Sequence, residues 1–241
     1  MRYKYFDLVM ALFVTVLLVS NIASSAKIID WGVSLAGLPL AFDAGTILFP
    51  LSYIFGDVLT EVYGYRRSRR VIWVGFACAA LMSAILWLVA KLPGEAMWSA
   101  SVGQARYDAI LGGVSTGAIV LASLAAYWGG EFSNSYVLAK MKVLTRGRWL
   151  WTRTIGSTLV GEGLDTLVFV SLATLFKVPG FAPGIWLTLV VTNYVFKCGI
   201  EVIMTPLTYR VVNLLKHVEH QDYFDYGTDF NPFKLEMTND E

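Results

Sequence analysis

The chain reads as an all-α integral membrane protein of six transmembrane helices with both termini in the cytoplasm. Three observations predict this class. Of 241 residues, 56% are hydrophobic and 15% charged, with a mean hydropathy of +0.58, whereas soluble domains carry about 25% charged residues. Apolar stretches of spanning length recur near 7–26, 43–63, 71–91, 113–139, 155–177 and 185–214. Basic residues alternate by loop: fourteen lie at the N-terminus, after the second and fourth stretches and toward the C-terminus, against Lys27, Lys91, Arg106 and Lys177 in the other loops. The positive-inside rule then places both ends in the cytoplasm. Residues 1–215 form the transmembrane domain and 216–241 a polar cytoplasmic tail, with partial disorder expected beyond Lys216.

The first span has an apolar run from Leu8 to Val19, preceded by Arg2 and Lys4 and followed by the small residues Ser24 and Ala26, which would suit a signal peptide. An uncleaved helix is the better reading, because the charge alternation needs it. The second span contains Pro50, Gly45 and Gly56, so a kink or break is expected at Pro50. The loop from Leu92 to Gly113 is expected to fold over the outer mouth as a short helix. The tryptophans fall near helix ends, as in an interfacial belt. Gly56-Asp57 and Gly130-Glu131 recur as small–acid pairs ahead of basic clusters, but helices two and four run the same way, so no inverted repeat follows.

The central observation is polar. Inside the spans sit Asp43, Asp57, Glu61, Glu131, Asn134, Glu162, Asp165, Asn193, Lys197 and Glu201. Thr158, Glu162, Asp165 and Phe169 share one stripe, and Asn193, Lys197 and Glu201 share another. An ionisable group at the middle of a span costs about 2.5–3.5 kcal/mol on insertion scales, so these stripes face a cavity, a partner or a ligand. Lys197 is expected to pair with Glu201, Glu162 or Asp165. Asp57 and Glu61, close to Arg66 and Arg67, suit capping or a surface pair as well as gating or coupling. Phe169 and Tyr194 adjoin the stripes and are candidates to stack on a flat ligand.

Several chemistries are excluded. Cys78 and Cys198 lie in apolar runs, His217 and His220 carry no metal-ligand spacing, and no cofactor is implied. Gly161-x-Gly163-x-Asp165 is one residue longer than the intramembrane aspartyl protease signature. There is no nucleophile elbow, no His-Glu-x-x-His and no phosphate-binding loop, which excludes an ATP-driven pump in one chain. A membrane enzyme is left only with an unfamiliar constellation, a third alternative below the reading as a non-enzyme. Basic clusters beside spans answer to topology, and nucleic acid is not a partner.

Phe49-Pro50, Asp57 through Tyr65 with Arg66 and Arg67, Gly130 through Tyr136 with Lys140, Arg153 through Thr158, Asp165-Thr166 and Asn193 through Lys197 together resemble the queuosine precursor transporter family, also called the vitamin uptake or VUT family. The resemblance runs in order to about Leu215. It implies a multi-pass importer of the cell inner (plasma) membrane, with a fold akin to the substrate-binding components of energy-coupling vitamin transporters. The implied substrates are 7-deazapurines, such as 7-cyano-7-deazaguanine, 7-aminomethyl-7-deazaguanine or queuine. Substrate-binding candidates are then Glu131, Asn134, Glu162, Asp165, Asn193, Lys197, Phe169 and Tyr194, with Asp57, Glu61 and Glu201 for gating or coupling. Some members carry Asp where this chain has Asn193. The leading expectation is a secondary carrier or facilitator with a mid-membrane site. The alternative is a capture component needing a separate ATPase module, docking on Gly112, Gly113 and Gly117. Beyond substrate and bilayer, a second copy of the chain is a candidate partner.

Overall fold

A computed structural model describes residues 3–35, 38–178 and 181–234. The chain runs through α1 (Phe6–Ala26), a hairpin of β1 (Ile28–Leu35) and β2 (Leu38–Asp43), a 3-10 turn (Ala44–Leu48), α2 (Phe49–Tyr63) and α3 (Tyr65–Lys91). It continues through α4 (Ala96–Ser101), α5 (Gln104–Ser115), α6 (Gly117–Leu144), α7 (Leu150–Leu175), the 3-10 turn Pro183–Ile185 and α8 (Trp186–Glu219). Among the described residues, five helical stretches are long and apolar enough to cross a membrane: α1, α3, α5 with α6, α7, and α8 with its 3-10 lead-in. Their outward faces carry apolar side chains such as Leu8, Leu81, Leu121, Leu187 and Ile203. The protein is a multi-pass membrane protein. At 15 residues, α2 is about 22 Å long and does not reach across the roughly 30 Å of hydrocarbon by itself.

Two elements depart from the sequence expectation. The fold is not purely helical, because the first connection is an antiparallel hairpin pairing Ile28 with Asp43 and Leu35 with Leu38. Its strands are short apolar runs, for which periodicity does not separate strand from helix. Pro50 neither kinks nor breaks a long helix. It sits in the first turn of α2, where its missing N–H would be unpaired in any case. The second span, expected as one stretch over 43–63, is therefore a 3-10 turn followed by α2. The side chains of Asp43, Phe49 and Tyr53 lie outside the described ones.

The loop after α3 does contain helix. The α4 N-terminus is capped by Glu95, whose carboxylate accepts from the Trp98 N–H at 2.8 Å. Gly113, expected as part of a docking face, is already occupied. Its N–H donates to Ser25 Oγ of α1 at 3.0 Å, and that hydroxyl donates to the Ile110 carbonyl at 2.7 Å.

Packing centres on α2. Ile54, Val58 and Val62 are buried with Val9 and Phe13 of α1, Val71 of α3 and Val212 of α8. On its other side, Thr60, Ser68 and Ser135 hydroxyls join α2, α3 and α6 at 2.9–3.0 Å. The two chain ends meet at one end of the bundle, where Glu219 accepts from the backbone N–H groups of Lys4 at 2.8 Å and Tyr5 at 2.7 Å.

Residues 220–234 form a strap across this end, against the expectation of disorder. The Asp225 carboxylate accepts from the Tyr65 N–H at 3.1 Å. Arg69 donates to the Asp229 and Asn231 carbonyls at 3.0 and 2.5 Å, and the Trp73 indole donates to the Pro232 carbonyl at 2.8 Å. The Phe230 ring lies 4.9 Å from Tyr65 and 5.2 Å from Tyr136, with Lys140 over its face at 4.2 Å. Burial pushes the Asp222 carboxyl upward, but hydrogen bonds and charge from Lys142 and Lys216 outweigh it and hold the carboxyl below its ordinary value. This contact therefore contributes stability above the ordinary carboxylate range and loses it as pH falls below that range. A chain ending at Gln221 is expected to melt about 5–10 °C lower in detergent. An unchanged melting temperature would show the strap to be passive.

Candidate functional site

The site begins with two glycines. α6 and α7 cross where a Cβ on Gly161 would stand 2.6 Å from Asn134 Cβ and 3.0 Å from the Gly130 carbonyl, and a Cβ on Gly130 would stand 2.8 Å from Asp165 Cβ. The two backbones touch because neither residue has a side chain. That contact sets Glu131 and Asn134 of α6 beside Glu162 and Asp165 of α7. From α8, Lys197 Nζ reaches Glu162 Oε2 at 2.8 Å and Asp165 Oδ2 at 2.5 Å. One ammonium bridges two carboxylates, which fit i and i+3 on one helical face.

α2 closes the opposite wall. A Cβ on Gly56 would sit 3.7 Å from Glu131 Oε2 and 3.9 Å from Asn134 Nδ2. Ser52, Gly56 and Asp57 of α2, Gly130, Glu131 and Asn134 of α6, and Thr158 and Glu162 of α7 line a narrow pocket between the three helices. It has room for about one water molecule. Asn134 donates to Asp57, while its buried Oδ1 has no hydrogen-bond partner among the described residues. An unpaired buried acceptor in a polar pocket is a place for a ligand donor.

The predicted residues divide. Glu131, Asn134 and Glu162 line the pocket, and Asp165 and Lys197 join it through Glu162. Asn193 stays apart: it is exposed, and its amide donates to the Leu189 carbonyl of its own helix at 2.8 Å. Phe169 meets Phe181 edge-on at 5.5 Å, and Tyr194 packs over Gly163 while its hydroxyl donates to the Leu159 carbonyl at 3.0 Å. The described pocket lining includes neither ring. Sequence reasoning did not propose Ser52, Gly56, Gly130 or Thr158 as site residues. Their signals were present: Thr158 shares the acid stripe, and each of the two glycines directly precedes an acid. Because a Cβ at Gly56 is accommodated but a branched side chain would enter the pocket, Gly56→Ala should bind ligand and Gly56→Leu should not, with both monodisperse. Equal binding by the two would remove α2 from the site.

A second charged centre lies toward the strap. Glu61 is fully buried, but its partners are not Arg66 or Arg67. It accepts from Arg153 Nε and Nη2 at 2.8 and 2.7 Å and from Lys216 Nζ at 2.6 Å. Lys142, 1% exposed, spends its donors on the Glu61 carbonyl, Asp222 Oδ1 and the Tyr223 carbonyl, each at 2.6 Å. Arg67 instead donates to the Tyr63 carbonyl at 3.0 Å and covers the Tyr3 ring at 4.2 Å. Glu61 thus ties α2 to α6, α7 and α8 as an ionic knot. Lys197 did not choose Glu201, which meets Asp57 instead.

Comparison with known proteins finds relatives of this chain. The chain is 26% identical over 179 residues to the "Probable queuosine precursor transporter" of Bacillus subtilis (strain 168), covering 73% of each chain. It is 25% identical over 195 residues to the "Queuosine precursor transporter" of Escherichia coli (strain K12), covering 80% of this chain and 82% of that one. A Haemophilus influenzae relative (strain ATCC 51907 / DSM 11121 / KW20 / Rd), named "Probable queuosine precursor transporter", is 26% identical over 168 residues, 70% of this chain and 67% of its own. No solved structure matches the chain. The family model described as "Putative vitamin uptake transporter" matches residues 43–211, from the end of β2 to the last third of α8 and across every residue of the pocket. The chain therefore belongs to the vitamin uptake transporter family, a family of membrane transporters and not of enzymes.

Proposed function

We propose that the protein is an inner-membrane carrier for queuosine precursors, 7-deazapurines such as 7-cyano-7-deazaguanine, 7-aminomethyl-7-deazaguanine or queuine, bound between α2, α6 and α7. The observation that carries this reading is the pocket itself: carboxylates of α2, α6 and α7 and an unpaired amide oxygen around a space next to a backbone-to-backbone crossing. A guanine-like edge presents adjacent N–H donors, which a carboxylate accepts in parallel. Glu131 or Glu162 takes that edge, Asn134 Oδ1 accepts a further N–H, and Asp165 and Lys197 orient and charge-balance the acids. The names of the three relatives supply the substrate class.

In this reading the chain crosses the membrane six times, α2 with its preceding turn completing the second crossing, and both termini face the cytoplasm. The meeting of Lys4 and Tyr5 with Glu219 supports an even number of crossings. Small-molecule sites start at about 300 Å³, so substrate enters a one-water pocket only when α2 parts from the α6–α7 pair. Alternating access then opens that seam to each side in turn.

The deciding measurement is binding of guanine, 7-cyano-7-deazaguanine and queuine to the purified protein, side by side. Saturable binding of a 7-deazapurine, weakened about tenfold or more by Glu131→Gln or Glu162→Gln, is expected. Wild-type binding in both variants would move the site elsewhere, and binding of none of the three would remove the substrate class.

A further inference from the structure

The carrier reading uses neither Asp57 of α2, beyond its place in the pocket lining, nor Glu201 of α8. Each is 1% exposed, and their carboxyls meet within hydrogen-bonding reach. Among the described residues, Asp57 Oδ2 and both Glu201 oxygens receive no hydrogen bond. The titratable groups around them are Glu61 on α2, Glu131 on α6, Glu162 on α7 and Cys198 on α8. Asn134 is the neutral neighbour and donates to Asp57. The cations of the region are engaged with other acids: Lys197 with Glu162 and Asp165, and Arg153, Lys142 and Lys216 with Glu61.

From this geometry we infer that Asp57 and Glu201 share one proton and form the protonation site that couples the carrier to pH. The inference rests on the carrier reading above. Two ionised carboxylates in contact have no hydrogen to share and repel where bulk water does not screen them. One proton between them makes an O–H···O⁻ bond, the short and strong kind. It also joins α2 to α8, while Asp57 contributes to the pocket wall beside Gly56. Loss of the proton to solvent turns the same contact repulsive and drives α2 away from α8. The shared proton is therefore placed to report its presence to the substrate pocket through Asp57 and Asn134.

Two measurements test this on the full chain. Infrared spectra of the purified protein at neutral pH should show a protonated-carboxyl band that shifts in D₂O. That band should be lost in Asp57→Asn and in Glu201→Gln, since in each variant the amide supplies the missing donor. A band unchanged in both variants, or kept in one of them, overturns the shared proton. In proteoliposomes, an inward proton gradient should accumulate 7-cyano-7-deazaguanine, used as an uncharged probe, about tenfold per pH unit for one coupled proton. Glu201→Gln should equilibrate the probe without accumulating it. Gradient-independent uptake by the wild-type protein overturns the coupling. Absence of probe uptake under every gradient, with the band lost in both variants, instead removes the carrier reading and leaves the shared proton standing.

Discussion

Glu61→Gln is expected to unfold the protein or leave it barely stable in detergent. The Glu61 carboxylate is the common anion of Arg153 at 2.7 Å and Lys216 at 2.6 Å, with Lys142 at 3.5 Å. Arg153 and Lys142 are each 1% exposed. Removing one member of a buried ion network strands the rest, which costs about 3–5 kcal/mol, a large share of the stability of an ordinary domain. Glutamine keeps the shape and one acceptor, so the loss isolates the charge. The melting temperature and monodisperse fraction of purified Glu61→Gln report it. Glu61→Gln combined with Lys216→Met should recover part of the loss, because one stranded cation is then gone. A single variant within about 0.5 kcal/mol of wild type would mean that the knot is ornamental.

Lys197→Met is expected to abolish transport. Lys197 is the cation shared by Glu162 and Asp165 at 2.8 and 2.5 Å, and both carboxylates face inward between packed helices. Without it, two like charges three residues apart on α7 are left to protonate, to draw in water or to turn away. Each response changes the surface offered to a substrate. By the cost of breaking a buried pair, uptake should fall about a hundredfold or more. The variant Lys197→Met/Glu162→Gln/Asp165→Asn separates folding from function. Neutralising all three partners should restore expression and melting temperature but not uptake. Uptake near the wild-type level in that triple variant would show the three to be structural, and the substrate site would then lie elsewhere.

Much of this protein was legible before any coordinates. Span positions follow from hydropathy, since a stretch that must dissolve in lipid advertises its composition over some twenty residues. The acids on α7 were legible as a stripe because helical spacing is local. The hairpin between α1 and α2 was not, because each of its strands is a short apolar run that also suits the end of a helix. The strap was not legible either. Asp225, Asp229 and Phe230 are ordinary polar and aromatic tail residues until Tyr65, Arg69 and Lys140, distant in sequence, come within reach.

The pairing of charges was the part that tertiary structure alone decided. By itself the sequence established a membrane-embedded helical chain, its family resemblance, and a set of carboxylates too costly to face lipid. It named Glu201, Glu162 and Asp165 as partners for Lys197 without choosing among them, and it did not say that Glu61 would take Arg153 or that Asp57 and Glu201 would be left facing each other. Those choices follow from how closely helices approach. The approach of α6 to α7 is set where Gly130 and Gly161 bring two backbones into contact. Composition reports the cost of a buried charge, but only the distance between helices determines which charge relieves it.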